Sequence, residues 1–300
     1  MQSRKLPVLP GGVFEDGIDG TRSHFVIVVR LFDGAAVRAT QYDELMSEWS
    51  KELETAIQAA KSAGDLALKM QPHVVAETKA DNSPVTQADR ECERVVARML
   101  SETFPSDGVL GEEGASLESK NGRKWIVDPI DGTRDYVRGN PLWANLIALE
   151  ADGEVVAGVV NLPLLGRLYS GSRGAGAYCN GVPIRASAKK RIDESVVCFN
   201  RFDKLNSFRS PQQVIEWIGR FWNARGLGGA PDAMMVACGQ VDLWIEPAAC
   251  AWDFAPLKII LEEAGARYFN FDGGSSIYAG NCIACAPGLE DEARHMLVAS

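Results

Sequence analysis

Trp125-Ile-Val-Asp128-Pro-Ile-Asp131-Gly-Thr133-Arg-Asp135 decides how this 300-residue chain is read. The apolar run Trp125 to Val127 reads as a buried strand, and it leads directly into Asp-Pro-Ile-Asp-Gly-Thr. Pro129 fixes φ and donates no ladder hydrogen bond, so the chain turns there and two carboxylates three apart can face one point. Two such groups repel, and left alone one of them stays protonated. A hard divalent cation resolves the conflict by taking carboxylates and a backbone carbonyl as oxygen ligands. Gly132-Thr133 then opens a helix whose free N–H groups suit a phosphate. An Asx turn with Asp131 as helix cap accounts for Asp131 but gives Asp128 no role.

Other acids stand at comparable places. Gly111-Glu112-Glu113-Gly114 follows the strand-like Val109-Leu110, and Glu246 ends the run Leu243-Trp-Ile-Glu246. Asp253 precedes an apolar helical stretch, Phe254 to Ala264, where an ordinary N-cap is the plain alternative. Taken singly, each acid has such a bland account, a solvated loop or a cap. Together they form a set of carboxylates at strand ends and helix mouths, a pattern that suits a polynuclear metal site for phosphate chemistry. The chain has three histidines, none in a motif-like setting, and it lacks GxGxxG after a strand, GxxxxGK[ST], HExxH and GxSxG. A glycosidase built on paired carboxylates would leave the Gly132-Thr133 helix mouth and the third acid unused.

Working outward, Thr86-Gln-Ala-Asp89 opens a helix as a near capping box, with Thr86 as N-cap and Asp89 at N3. Val95, Val96, Met99 and Leu100 supply its buried face. A longer helical pattern runs from about Glu44 to Met70, with Leu53, Ile57, Ala60, Ala63, Leu66 and Leu68 as its apolar stripe and Asp43 or Ser47 as cap. His73 to Lys79 reads as a strand, and short β-like runs separated by glycine turns fill Trp125 to Cys179. Helices over Pro211 to Trp222, Asp232 to Cys238 and Phe254 to Ala264 complete an α+β chain, with strands around Leu243 to Glu246 and Asn281 to Ala286.

Residues 1–45 lack this periodicity, so they are expected to be an N-terminal extension, with Met46 a candidate natural start. The folded part would then span 46–300, as a half over 46–190 holding most of the acids and a half over 191–300 supplying Glu246 and Asp253. Forty Asp and Glu against 31 Lys and Arg give a net charge of −9, which argues against nucleic acid as a partner. No apolar run reaches the roughly 20 residues of a membrane span. Seven cysteines, an odd number, point to a reducing, cytoplasmic setting. Cys282-Ile-Ala-Cys285 has redox spacing, but a buried strand with its two sulfurs on opposite faces is the better account.

Lys79-x-Asp-x-x-Pro84-Val-Thr86-x-x-Asp89, Gly111-Glu-Glu113, Trp125-x-x-Asp128-Pro-Ile-Asp-Gly-Thr133 and Trp252-Asp253 together resemble the inositol monophosphatase family of metal-dependent phosphatases. The likeness runs in order from about Met46 to the C-terminus. It implies a layered α-β-α-β-α sandwich and two or three Mg²⁺ ions. It also implies that Glu112, Asp128 and the Ile130 carbonyl hold a first metal, and Asp128, Asp131 and Asp253 a second. By the same likeness Asp89 and Thr133, with Glu112 beside them, act on the attacking water. Asp131, Gly132 and Thr133 meet the substrate, the last two through backbone amides, and Glu246 accepts a substrate hydroxyl. A homodimer is the assembly it suggests.

The substrate it implies is a small phosphorylated metabolite. Arg138 to Leu149 is most similar to bacterial histidinol-phosphate phosphatases of the family, which tend to carry an acid where this chain has Gly229. The nearest acid, Asp232, is three residues on, so a preference for histidinol phosphate would mean that Asp232 or another acid replaces that partner. Myo-inositol monophosphate, 3′-phosphoadenosine phosphate and a non-catalytic binding role are the alternatives.

Overall fold

The computed structural model describes residues 48–80, 82–208 and 210–298, together with two short backbone segments at 29–30 and 36–37. The chain divides into two units, Met1–Glu48 and Trp49–Ser300. In the first, Val29–Arg30 pairs antiparallel with Ala36–Val37. Met46 and the proposed caps Asp43 and Ser47 lie outside the described residues.

The second unit holds seven α-helices among the described residues: α1 (Ser50–Met70), α2 (Gln87–Thr103), α3 (Thr133–Arg138), α4 (Pro211–Ile218), α5 (Gly229–Ala237), α6 (Ala251–Glu263) and α7 (Glu290–Leu297). Its larger sheet has eight strands, in the order 182–183, 176–179, 167–172, 154–162, 144–151, 123–131, 108–111 and 116–117. All neighbours are antiparallel except 108–111 against 123–131. The second sheet, of five strands, runs 223–225, 196–199, 243–246, 282–285 and 267–269.

Strand alternation sorts the side chains into three apolar layers. Trp125, Val127, Ile147 and Leu149 face α1 and α2. Ile126, Leu146 and Ala148 face the opposite way, toward α5 and α6, and meet Trp244 and Cys282 of the five-stranded sheet there. Leu243, Ile245, Ile283 and Cys285 face outward onto Val214 and Trp217 of α4 and Leu297 of α7. The order is therefore helices, sheet, helices, sheet, helices, the α-β-α-β-α sandwich expected. Cys282 and Cys285 fall in different layers, so they are core residues and no dithiol pair forms.

Local expectations shift at element ends. The helix expected from Glu44 starts at Ser50, with Trp49 at its N-cap and no side-chain cap. Its deepest row is Ala56, Ala59, Ala60, Ala63 and Ala67, while Leu53, Ile57, Leu66 and Leu68 are only half-buried. Small residues bring this helix close to the sheet. The strand expected over His73 to Lys79 is confined to Ala76–Thr78, and the helix expected to Trp222 ends at Ile218. The capping box at Thr86 is present as expected: Thr86 Oγ1 accepts from the Asp89 amide, and Asp89 Oδ2 accepts from the Thr86 amide at 2.8 Å.

On the other face α6 sits directly on Gly158. A Cβ there would lie 2.6 Å from Ile259 Cγ2 and 2.9 Å from both Pro256 Cα and its carbonyl oxygen, so the helix could relieve it only by moving. Gly158→Ala is expected to cost about 1–3 kcal/mol by overpacking. A lower urea midpoint at unchanged m-value is the signature to look for; an unmoved midpoint would mean that α6 slides at no cost.

Candidate active site

The strand 123–131 carries the centre of the site, and its irregularity gives the site its shape. Asp128 pairs with Leu146 and Asp131 with Ala144, so Pro129 and Ile130 together stand opposite the single residue Asn145. In a regular strand residues 128 and 131 would point to opposite faces. The bulge inserts one extra residue and reverses the alternation. Ile126 faces the inter-sheet layer, whereas Ile130, four residues on, packs with Val127 in the layer toward α1 and α2. Asp128 and Asp131 consequently turn to the same side.

There they meet Asp253. One oxygen from each of Asp128, Asp131 and Asp253 lies within 4.8 Å of the others. Each carboxylate also accepts one backbone hydrogen bond. Ile130 N donates to Asp128 Oδ1 (2.9 Å), Ala230 N to Asp131 Oδ2 (3.2 Å) and Cys250 N to Asp253 Oδ2 (2.6 Å). Asp131 is therefore no helix cap; Gly132, at φ +82°, occupies the N-cap of α3. Asp253 is likewise not the N-cap of its helix, which starts three residues earlier than expected, at Ala251, with Cys250 as N-cap and Asp253 at N3.

Burial raises the carboxyl pKa of all three, and the neighbouring carboxylates add to it. Asp128 stands well above the usual range, Asp131 at about 7 and Asp253 at about 6. This is the unresolved repulsion foreseen from the sequence, and an oxygen-seeking cation is the group that would relieve it. The donor set of three carboxylates, one buried and two half-buried, with the Ile130 carbonyl fits such an ion. Metal ligands of softer character, His or Cys, do not join the group among the described residues.

The remaining expected residues are distributed around this trio. Glu112, Ile130, Gly132, Thr133 and Glu246 line the same cavity of about 480 Å³. Glu112 stands beside Asp128, while its Oε1 accepts from Lys79 Nζ at 2.9 Å, and Lys79 also holds Glu113 at 2.6 Å. Burial lowers the Lys79 ammonium pKa, and the two glutamates outweigh it, so this lysine stays charged. Asp89, fully buried on α2, lies behind the cavity: Thr133 Oγ1 donates to its Oδ1 at 3.1 Å, with the Ile130 carbonyl at 3.2 Å as the other acceptor in reach. Glu246 Oε2 accepts from Asn200 Nδ2 at 2.5 Å, leaving Oε1 buried without a hydrogen-bond partner among the described residues. Burial pushes its carboxyl to about 8.

Asp232 does not face the cavity. It is wholly buried, and its carboxylate accepts from the amides of Leu227 and Gly228 at 3.0–3.1 Å. Of the acids that could replace the partner missing at Gly229, Asp232 is therefore not one: it holds the wall made by its own loop. Gly229 lies against Asp131, where a Cβ would be 3.0 Å from Oδ2. Three contributors were not anticipated from the sequence. Asn200 orients Glu246. Arg201 lines the cavity with its chain in the left-handed region at φ +55°. Glu93 accepts from the amides of Glu113 and Ala115 and so fixes the turn that carries Glu112. Glu93 could have been noticed as a second acid one helical turn after Asp89.

A family model described as the inositol monophosphatase family matches residues 48–300. A histidinol-phosphatase of Chlorobaculum parvum is 38% identical over 237 residues, 78% of this chain and 92% of that one. An inositol-1-monophosphatase of Rhizobium meliloti is 34% identical over 205 residues, 67% of this chain and 77% of that one. Among solved structures, extragenic suppressor protein suhB of Bartonella henselae superposes with a TM-score of 0.76 at 28% identity, covering 83% of this chain and 98% of that one. The class that the fold and the acidic cavity define is thus a phosphoric monoester hydrolase. The chain belongs to the inositol monophosphatase family.

Proposed function

We propose that this protein is a Mg²⁺-dependent phosphatase of a small phosphate monoester, with histidinol phosphate as first substrate and myo-inositol monophosphate as second. The convergence of Asp128, Asp131 and Asp253 at one point of the cavity carries this reading. Glu112, Asp128 and the Ile130 carbonyl would hold one ion, and Asp128, Asp131 and Asp253 another. Bound there, the ions would acidify a water and neutralise charge on the phosphoryl and leaving-group oxygens. Such cations also explain how a chain of net charge −9 admits a phosphate dianion.

The protein's own groups do the rest. Asp89 takes the hydrogen bond of the Thr133 hydroxyl, which leaves that oxygen's lone pairs facing the cavity to receive a proton of the attacking water. The amides of Gly132 and Thr133 would meet phosphoryl oxygens. Glu246 Oε1, buried and without a hydrogen-bond partner among the described residues, would accept from the alcohol portion of the substrate, whether hydroxyl or ammonium. The histidinol ester is put first because that name belongs to the relative of 38% identity, against 34% for the inositol enzyme. A homodimer in the cytoplasm is the accompanying expectation. No helix among the described residues is long and apolar enough to cross a membrane.

The test is kcat/KM for the two esters, side by side, in Mg²⁺. A ratio of about tenfold or more toward histidinol phosphate is expected, the discrimination that one charged contact supplies. A preference for the inositol ester would reassign the substrate and leave the chemistry in place. Turnover of neither would favour a binding role.

A further inference from the structure

The bulge that brings Asp128 and Asp131 together is held by a chain of buried amides. Asn145, the single residue opposite Pro129 and Ile130, donates from Nδ2 to the Pro129 carbonyl at 2.7 Å. Its Oδ1 accepts from Nδ2 of Asn161 at 3.0 Å, and Asn161 is its register partner on the next strand. The same Asn161 Nδ2 donates to the Ala60 carbonyl of α1 at 3.1 Å. Asn145 is 1% and Asn161 8% exposed.

The packing leaves this chain no slack. A Cβ on Gly64 of α1 would lie 2.4 Å from Asn161 Nδ2 and 2.9 Å from Asn145 Oδ1. Both hydrogens of Asn161 Nδ2 are committed, one to a helix and one to Asn145. That fixes the orientation of Asn145: its oxygen faces a donor, and its nitrogen must face the Pro129 carbonyl. Where the bulge interrupts the strand ladder, a side chain thus supplies a donor anchored to α1.

We propose that Asn145, braced by Asn161, is a positioning residue for the acidic trio. By pinning the Pro129 carbonyl it maintains the two-against-one register that turns Asp128 and Asp131 to one side. Neither amide touches the cavity, so the action is through the bulge. The inference rests on the metal-binding reading above and adds residues that reading does not contain.

Mn²⁺ binding to the full chain, stripped of metal and followed by the EPR signal of free Mn²⁺, tests it without substrate. Asn145→Leu keeps the bulk of the side chain and removes the donor; Asn161→Leu leaves that donor and removes its brace. Mn²⁺ affinity is expected to fall by about 10–100-fold in Asn145→Leu, the range for groups that orient ligands, and by less in Asn161→Leu. Val214→Ala, in the outer core on α4, serves as control: it lowers the melting temperature and keeps the parent's affinity. Affinities within about twofold of the parent in the folded variants overturn the inference. Asn161→Leu decides alone if Asn145→Leu does not fold. A parent chain that binds no Mn²⁺ overturns the metal reading first, and the positioning role with it.

Discussion

Asp128→Asn is expected to lower kcat/KM by about a thousandfold or more in a chain that stays folded. Orienting groups outside a metal's ligand set already cost roughly 10–100-fold, and Asp128 is the carboxylate shared by both proposed ion sites. The amide oxygen of Asn can still accept from Ile130 N, now 2.9 Å from Asp128 Oδ1, so the local turn is kept. What is lost is the negative charge that Asp128 offers a cation, at a point where burial and the crowding Glu112, Asp131 and Asp253 oppose that charge in the absence of metal. The sign of the stability change follows. Without metal, removing a buried repulsion leaves the melting temperature level or higher; with Mg²⁺, the rise that a ligand of the native state gives should shrink or vanish. A chelator on the parent should produce the same loss of turnover, reversed by added Mg²⁺. Turnover within tenfold of the parent would sink the site.

How much of this was legible beforehand depends on how far apart in the chain the cooperating residues lie. Asp-Pro-Ile-Asp-Gly-Thr is local: strand, Pro and two acids are within one reading window, and the turn follows from Pro129 itself. The reversal of alternation that makes the turn work is not local, because it is set by register against Asn145 and by the Asn161 amide behind it. Asn145 lies within the Arg138 to Leu149 stretch, but nothing in that stretch gives its role, and Asn161 belongs to no motif. The same limit explains Asp253. Its place at the mouth of α6 was evident, but Ala251-Trp252 join the helix, so a residue that resembles an N-cap is the N3 member of a capping box with Cys250. Asp232 shows the reverse error. Spacing put an acid three residues after Gly229 near the expected substrate amine, yet α5 begins at Gly229 and the side chain turns inward to its own loop. Long-range packing decided the first helix as well. The stripe read from the sequence mixes leucine, isoleucine and alanine, but only its Ala60 and Ala63 join the deepest row, and Gly64 beside them is held without a Cβ by the Asn145–Asn161 pair.

Asp89→Asn and Thr133→Val are each expected to reduce kcat by about 100- to 1,000-fold with KM little changed, the range for a group that acts on the proton of a nucleophile. The geometry makes the two residues a unit. Asp89 is acceptor-only when ionised: Oδ2 takes the Thr86 amide and hydroxyl at 2.8 and 2.5 Å, and Oδ1 takes the Thr133 hydroxyl at 3.1 Å. Burial raises its pKa, and the hydrogen bonds from Thr86 and Thr133 pull against that rise. Asn at this position has one acceptor for those donors, so its NH₂ must face either the capping box or Thr133. If it faces the box, the start of α2 loses about 1 kcal/mol; if it faces Thr133, the hydroxyl is turned to donate elsewhere. In the second case the aim of the Thr133 oxygen at the cavity is lost; in the first the hydroxyl keeps an acceptor, but a neutral one that polarises it less than the carboxylate does. Thr133→Val removes that oxygen and preserves shape. Residues acting in series are not additive, so the double variant should be no slower than the slower single one. Multiplied effects in the double variant would show instead that Asp89 and Thr133 act on the reaction independently, which the single hydrogen bond joining them does not allow.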